Sequence, residues 1–422
     1  MSLLPLDKRY KIAVIGAGIS GLTAAYILRQ KHEITIFEKN YYSGGSIHTY
    51  ITDDGIPIDT GVIIFNLKKY PLFVKLLSQL DVKPRFVINS LTMYYDNRLK
   101  YCITNNLKGL VDQGFDLFNP ENLMLSRDLL VFKKQTIKDH SNGELHDITL
   151  ELYFKKKRYS EAFRDLFFSE INAAWGPSYE EALQYPGEFA HFVGEYNLIS
   201  PLFAFYWKTI QGGCIDYIQK ITSKIGNENI KLNSGIRKVY RKKNGIILKM
   251  QNGESHYFDK VIIATLPHQA LTLLDDPTEN ELNCLSIWKA HKIKSIMHTD
   301  TSRLVQNENL WSTYNFHLEK DKNGFIQASI MNWANNITGK KSKNPYFVSF
   351  NPFFPIRENT IVTEMEHYFP HYTLDTLRIQ NKLPSLNGVN HSYFCGSYFG
   401  KGFHEDAIAS SNQVTKHFGM EL

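Results

Sequence analysis

Nowhere among the 422 residues is there an apolar run approaching the ~18 residues needed to cross a bilayer. The nearest imitation is the uncharged stretch from Ile12 to Leu28 behind Lys8, Arg9 and Lys11. Three regularly spaced glycines interrupt it and it leads straight into a charged strand, which excludes a secretory leader. Cysteine is scarce: Cys102, Cys214, Cys284 and Cys395 stand far apart, with no C-x-x-C pair and no zinc spacing. That argues against a disulfide framework and a metal site. It fits a reduced, cytoplasmic compartment in which the thiols are buried as small apolar groups. There is no block of one charge sign either. Lys and Arg number 48 against 42 Asp and Glu, a net +6, and the largest basic cluster is Lys155 to Arg158. Basic residues do not interleave with aromatics, so a nucleic-acid partner is not expected. The cluster reads as a solvated helix face or as a peripheral contact with an anionic membrane surface or acidic ligand. With 43% hydrophobic and 21% charged residues the composition is that of a globular protein, and the length predicts two domains.

The first 40 residues carry the most specific pattern. Lys11-Ile-Ala-Val-Ile15 suits a strand buried on both faces, Leu22 to Gln30 suits a helix, and Glu33 to Glu38 suits a second strand. Between the first two lies Gly16-Ala17-Gly18-Ile19-Ser20-Gly21. In such a turn the first glycine makes the bend, the second admits a pyrophosphate to the backbone, and the third lets helix and strand close together. The helix N-terminus then offers unpaired N–H groups to the phosphates. Glu38 ends the second strand, about 20 residues after the first glycine, where a carboxylate accepts hydrogen bonds from ribose hydroxyls and repels a 2′-phosphate. Dinucleotide binding without NADP is the expectation.

Other segments extend the pattern. Lys39 is followed by Gly44-Gly45-Ser46 and His48, and further on stands Ile58-Asp59-Thr60-Gly61-Val62. Asn244-Gly245 and Asn252-Gly253 predict turns in a strand meander from Ile230, closed by the buried strand Lys260 to Thr265. Near the end, Tyr393 to Gly396 reads as a strand and turn, and a helix follows with Glu405 and Asp406 in its first turn and Gly419 at its stop. Ala407, Ser411, Val414 and Phe418 form its packing stripe.

Taken together with Trp207 to Gly213, these segments resemble the flavin amine oxidase superfamily, which includes monoamine oxidases, protoporphyrinogen oxidase and phytoene desaturases. The resemblance covers essentially the whole chain. It implies non-covalent FAD and an α/β, Rossmann-type FAD-binding fold joined to a mixed sheet-plus-helix (α+β) substrate domain. Residues 1–82, 207–267 and 388–422 would bind FAD, and residues 83–206 and 268–387 would hold substrate. It also places Gly44, Gly45 and Ser46 at the pyrophosphate, and Thr60, Gly61 and Val62 against the flavin. Ile236 falls at the adenine, and Gly396, Phe403, His404 and Ala407 at the far end of the flavin ring. Ser46 stands where most members carry Arg, with His48 either a partial substitute or a structural histidine. No counterpart of the cysteine loop used for covalent flavin attachment lies near Cys395.

A narrower resemblance is to bacterial amine-oxidase-like, NAD/FAD-binding proteins associated with cyclopropane-fatty-acid-synthase-like methyltransferases. It is carried by Asp59 to Asn66, Tyr159 to Asp165, His298-Thr-Asp300 and Gly402 to Asp406, and it implies an unsaturated or methyl-branched fatty-acyl substrate. For the chemistry, Phe403 is the expected aromatic wall over the flavin, with Tyr398 as its second wall. His404 contributes either its backbone N–H or a proton-shuttling side chain. Lys294, in the strand pattern Ile293 to Met297, is either the lysine that positions water near flavin N5 or an ordinary surface residue. A helix is expected over Asp147 to Phe168, its basic run near Tyr153 and Phe154 forming a lipid-surface edge. The expected function is hydride transfer on a hydrophobic substrate; the alternatives are an amine oxidase, a redox-neutral double-bond isomerase and a non-catalytic flavin scaffold.

Overall fold

The computed structural model describes residues 5, 7–61, 64–103, 108, 112, 119–199 and 207–422. Its foundation is a five-stranded, all-parallel sheet with Lys11–Ile15 at the centre. On one side lie Glu33–Phe37 and Ile230–Lys231; on the other lie Lys260–Ile263 and Ser392–Phe394. Strands far apart in sequence thus close one sheet. The apolar runs that predicted burial on both faces do so because helices cover the sheet. Ile19–Leu28 is buried at every position, and the C-terminal helix His404–Lys416 packs closely on it.

The meander is present as Ile236–Lys242, Gly245–Met250 and Ser255–Phe258, paired antiparallel. Gly253 takes a positive φ of 93° in the second turn, where a β-carbon is disfavoured. A seven-stranded mixed sheet stands beside it. Its order is Ile361–Pro370, Ala290–His298, Phe347–Phe350, Ile326–Trp333, Tyr314–Lys320, Leu91–Tyr95 and Arg98–Ile103. One face carries Met93, Phe316, Ile330, Val348, Phe350 and Met297 in register. The buried aromatics of helix Glu161–Trp175, Phe163, Phe167 and Phe168 among them, belong to the same core.

The helix expected over Asp147 to Phe168 is two helices. Leu150–Lys157 ends at Arg158, whose φ of 55° is left-handed, and Glu161–Trp175 begins behind the Ser160 cap. The break is held from outside, because the Ser160 amide donates to the buried carboxylate of Asp128 at 2.8 Å. A tertiary hydrogen bond overrides a continuous helical pattern there. No helix among the described residues is long and apolar enough to cross a membrane.

Candidate active site

A cleft of about 770 Å³ opens where the parallel strands end at Ile15, Phe37, Ile263 and Phe394. It lies at the carboxyl edge used by dinucleotides and within the ~300–1,000 Å³ of cofactor-sized sites. The three glycines of the first turn divide their work as their chemistry requires. A β-carbon on Gly21 would stand 2.0 Å from the Gly16 carbonyl oxygen, so only glycine lets the helix close on the strand. One on Gly18 would meet nothing nearer than Gly45 Cα at 4.0 Å, which leaves that backbone bare to a phosphate. The second glycine loop is bonded to the first, with Gly44 N–H donating to the Ala17 carbonyl at 2.8 Å.

Glu38 is buried at the floor, its carboxylate accepting from the amides of Ala17 at 2.8 Å and Asn40 at 2.9 Å. Two backbone donors hold the acid in place and leave lone pairs for ribose hydroxyls. Gly16, Gly18, Ile19, Ser20, Glu38, Lys39, Gly44, Gly45, Ser46, Ile236, Gly396 and Ala407 all line the cleft. Ala17 and Gly21 lie beneath the lining, as support. Thr60 and Gly61 also stand one layer back: Thr60 N–H donates to the His48 carbonyl at 2.9 Å, and a β-carbon on Gly61 would meet the Ser46 oxygen at 2.0 Å. Val62 lies outside the described residues. The His48 ring is held on Thr60 Oγ1 at 2.8 Å, which is the structural alternative for this histidine.

At the other end, Phe403 and His404 line the cleft at the N-terminus of the last helix, whose first-turn amides have no intrahelical acceptors. The His404 ring is committed elsewhere. Its Nε2 lies 2.9 Å from the buried Tyr217 hydroxyl, its face packs on Phe73 at 5.1 Å, and burial lowers its pKa to about 4. What remains for the cleft is the backbone N–H. Phe403 has aromatic neighbours, but not the expected one. Its ring meets Trp175 at 5.1 Å, Tyr196 at 5.2 Å and Tyr70 at 6.2 Å. Tyr398 lines the cleft yet packs on Trp288 and Phe399, behind Gly396. The spacing between Tyr398 and Phe403 gave no sign that a 3-10 turn at Ser397–Phe399 carries the Tyr398 ring into the core.

Lys294 does not reach the cleft. Its ammonium pairs with Glu364 at 2.9 Å and its side chain is 46% exposed, as the surface alternative held. Strand alternation decides this: Ile293 and Ser295 face inward, so Lys294 faces solvent.

The residue that sequence reasoning missed is His367, on strand Ile361–Pro370. It lines the cleft and is 2% exposed. Its Nε2–H donates to the Thr60 carbonyl at 3.0 Å, and Ser295 Oγ lies 3.3 Å away. The donation to a carbonyl assigns the tautomer and leaves Nδ1 a buried acceptor without a partner. Burial lowers the pKa of this ring to about 4. No pattern marks a lone histidine in a strand; only the pairing of Ile293 with His367 brings it inward beside Ser295. Glu170, on helix Glu161–Trp175 and outside the cleft lining, was also not singled out by the sequence. Part of its surface is accessible, yet protein surrounds it closely enough that burial pushes its carboxyl up to about 8. It acts electrostatically on Tyr314, whose hydroxyl has no partner.

A sequence-family model described as flavin containing amine oxidoreductase matches residues 19–363. The 4,4'-diapophytoene desaturase (4,4'-diaponeurosporene-forming) of Staphylococcus aureus strain Newman is 53% identical over 55 residues. That match spans 13% of this chain and 11% of the desaturase. The crystal structure of a CLA-producing fatty acid isomerase from P. acnes superposes with a TM-score of 0.72 at 14% identity, covering 98% of this chain and 99% of the isomerase. A double mutant of putrescine oxidase gives a TM-score of 0.71 at 14% identity, covering 97% and 99%. At these identities the solved structures establish a shared fold.

Proposed function

Since the chain belongs to the flavin containing amine oxidoreductase family, we propose that it is an FAD-dependent oxidoreductase whose substrate is a long apolar chain, an unsaturated or methyl-branched fatty-acyl group. The observation that carries this reading is the apolar face of the cleft around His367, formed by Leu266, Leu273, Phe369 and Phe403. Such a face takes up a hydrocarbon by removing it from water, at about 25 cal/mol per Å² of apolar surface. The neighbour from P. acnes is named for a fatty acid, in keeping with that substrate class.

Bound flavin supplies hydride chemistry between its N5 and a substrate carbon. The chain's own residues do the rest. Glu38 and the two glycine loops would hold the dinucleotide, and the first-turn amides of the last helix would stabilise negative charge brought to them. Phe403, backed by Trp175 and Tyr196, keeps water from that end. His367 accepts a proton or a water hydrogen at Nδ1. Non-covalent attachment is part of the proposal, and the burial of Cys395 outside the cleft lining supports it.

A second reading, an amine oxidase releasing hydrogen peroxide, is favoured by Glu170, an unpaired carboxyl suited to an ammonium group. A redox-neutral double-bond isomerase is the third, favoured by the fold shared with the isomerase. The test is the visible flavin absorbance under anaerobic conditions during additions of unsaturated or methyl-branched acyl lipids, then of amines. Bleaching by lipid alone supports the acyl-chain reading. Bleaching by amines alone sinks it, and a shifted double bond without bleaching identifies the isomerase.

A further inference from the structure

We propose that helix Pro120–Ser141 seats the protein on an anionic lipid surface. Its buried side is Leu125, Asp128, Phe132, Thr136 and Asp139. Its outer side carries Leu123 at 53% exposure, Met124 at 47%, Leu130 at 64%, Val131 at 46% and Ile137 at 41%. Five of the seventeen exposed large hydrophobic side chains among the described residues therefore stand on one helix. The spacing puts them all on the outer face. At 3.6 residues per turn, positions 123, 130 and 137 fall within about 40° of one another, and 124 and 131 form the other flank of that face, about 80–100° round from 123. Scattered exposed apolar residues need no explanation, but a contiguous patch of this kind marks a contact surface.

The charges on that face select the occupant. Arg127, Lys134 and Lys138 lie among the apolar side chains, all exposed. Arg127 leans back onto Asp128, whereas Lys134 and Lys138 have no acidic partner among the described residues. The exposed acid of this helix, Glu121, is about 160° around the axis from Leu123. A second copy of the chain would bring these lysines together with no acid on the face to meet them. An anionic membrane satisfies both halves of the pattern, the side chains of Leu123, Leu130 and Ile137 entering the headgroup boundary while the lysine stems snorkel to the phosphates. The basic run that sequence favoured for this role is neutralised at home: Lys155 pairs with Glu151, Lys156 with Glu144, and Lys157 with Asp139 and Glu144. The lipid-facing edge belongs to the preceding helix. This placement does not depend on which substrate reading is correct.

The test is sedimentation of the full-length flavoprotein with phosphatidylcholine vesicles, with and without phosphatidylglycerol. Binding is expected only with the anionic lipid, weakening as salt rises. Each basic residue near such a surface is worth about a five-fold factor, so Lys134→Gln with Lys138→Gln should weaken binding roughly 25-fold. An equal charge removal at Lys341 and Lys343, exposed on the loop after helix Ala334–Thr338, should change it less than two-fold. Leu130→Asn should also release the protein without altering its melting temperature; if that variant misfolds, the lysine pair carries the test. Equal binding to neutral vesicles, equal loss from the two lysine pairs, or no binding at all overturns the proposal. So does a concentration-dependent doubling of mass abolished by Leu130→Asn, which would assign the face to a second copy.

Discussion

The Nε2–H of His367 donates to the carbonyl of Thr60 across 3.0 Å, tying the edge strand of the seven-stranded sheet to the loop behind the second glycine pair. The bond fixes the ring in one tautomer and leaves Nδ1 a buried acceptor without a partner, on a residue that lines the cleft. His367→Ala is expected to slow substrate-dependent flavin reduction about a hundredfold, the lower end for a positioned acid–base group, with flavin content retained. With its pKa lowered to about 4, the ring is neutral at pH 7. The wild-type rate should therefore be insensitive to this group from pH 7 to 5 and fall toward pH 4 as Nδ1 takes up a proton. Stopped-flow flavin reduction across that range checks both points, and a variant as fast as wild type removes His367 from the reaction.

Gly18 and Gly21 should separate stability from cofactor binding. Gly21→Ala places a methyl 2.0 Å from a carbonyl oxygen, so it should cost the apoprotein at least ~1–3 kcal/mol and lower its melting temperature. Gly18→Ala meets nothing within 4 Å except Gly45 Cα, so the apoprotein should melt as wild type does. Its flavin should nevertheless be lost on gel filtration, because the methyl occupies the approach of the pyrophosphate. Equal behaviour of the two variants would contradict this division of roles.

Glu38→Ala removes the acceptor held by the Ala17 and Asn40 amides. Leaving those amides and the ribose hydroxyls short of a partner should weaken flavin binding by about 1–3 kcal/mol, or roughly five- to 150-fold in Kd. Fluorescence titration of the apoprotein with FAD measures it.

Arg241 and Glu281 form a buried bidentate pair, with nitrogen–oxygen distances of 2.5 and 3.0 Å, and Asp276 accepts from the same guanidinium at 2.9 Å. Glu281→Ala is expected to destabilise by about 3–5 kcal/mol, since it removes the buried partner of a buried cation and leaves it the half-exposed Asp276. Replacing Arg241 and Glu281 together with Met and Leu should recover much of that loss. Urea unfolding of the three proteins decides it.

Burial lowers the pKa of His298 to about 4, of His317 to about 3 and of His367 to about 4. In the unfolded chain each takes a proton near pH 6.5, while the folded rings stay neutral until pH 4 or below. The unfolded state therefore binds more protons between about pH 6.5 and 4, and stability must fall as pH drops through that window. Each ring contributes on the order of 3 kcal/mol to the loss. The melting temperature should drop steeply from pH 7 to 4.5. It should drop less in His317→Phe, whose ring keeps the stack on Tyr94 at 4.8 Å. A flat profile for wild type would refute the account.

The glycine-lined cleft was legible in the sequence, because its signals are local. A strand, a turn that requires glycine, a helix start and an acid at fixed separation each carry their own physical reason, and the turn residues around Gly16 and Gly44 line the cleft. Glu405 marks where that legibility stops. Sequence assigned it to the dipole of its own helix, where it does lie in the first turn. Its carboxylate is spent on another helix, accepting from Leu72 at 2.9 Å and Phe73 at 3.0 Å and so capping Pro71–Gln79. Nothing within the local pattern carries that information.

By itself, then, the sequence determined the opening strand–turn–helix–strand unit, the meander and the terminal helix, since short-range sterics and backbone hydrogen-bonding needs set those. Tertiary structure alone decided which side chains meet the cleft from elsewhere. Strand pairing turned Lys294 to solvent and His367 inward, a 3-10 turn took the Tyr398 ring away from Phe403, and helix packing brought Trp175 to it. In a strand, one residue of register moves a side chain to the opposite face, and the partner that sets the register lies far away along the chain.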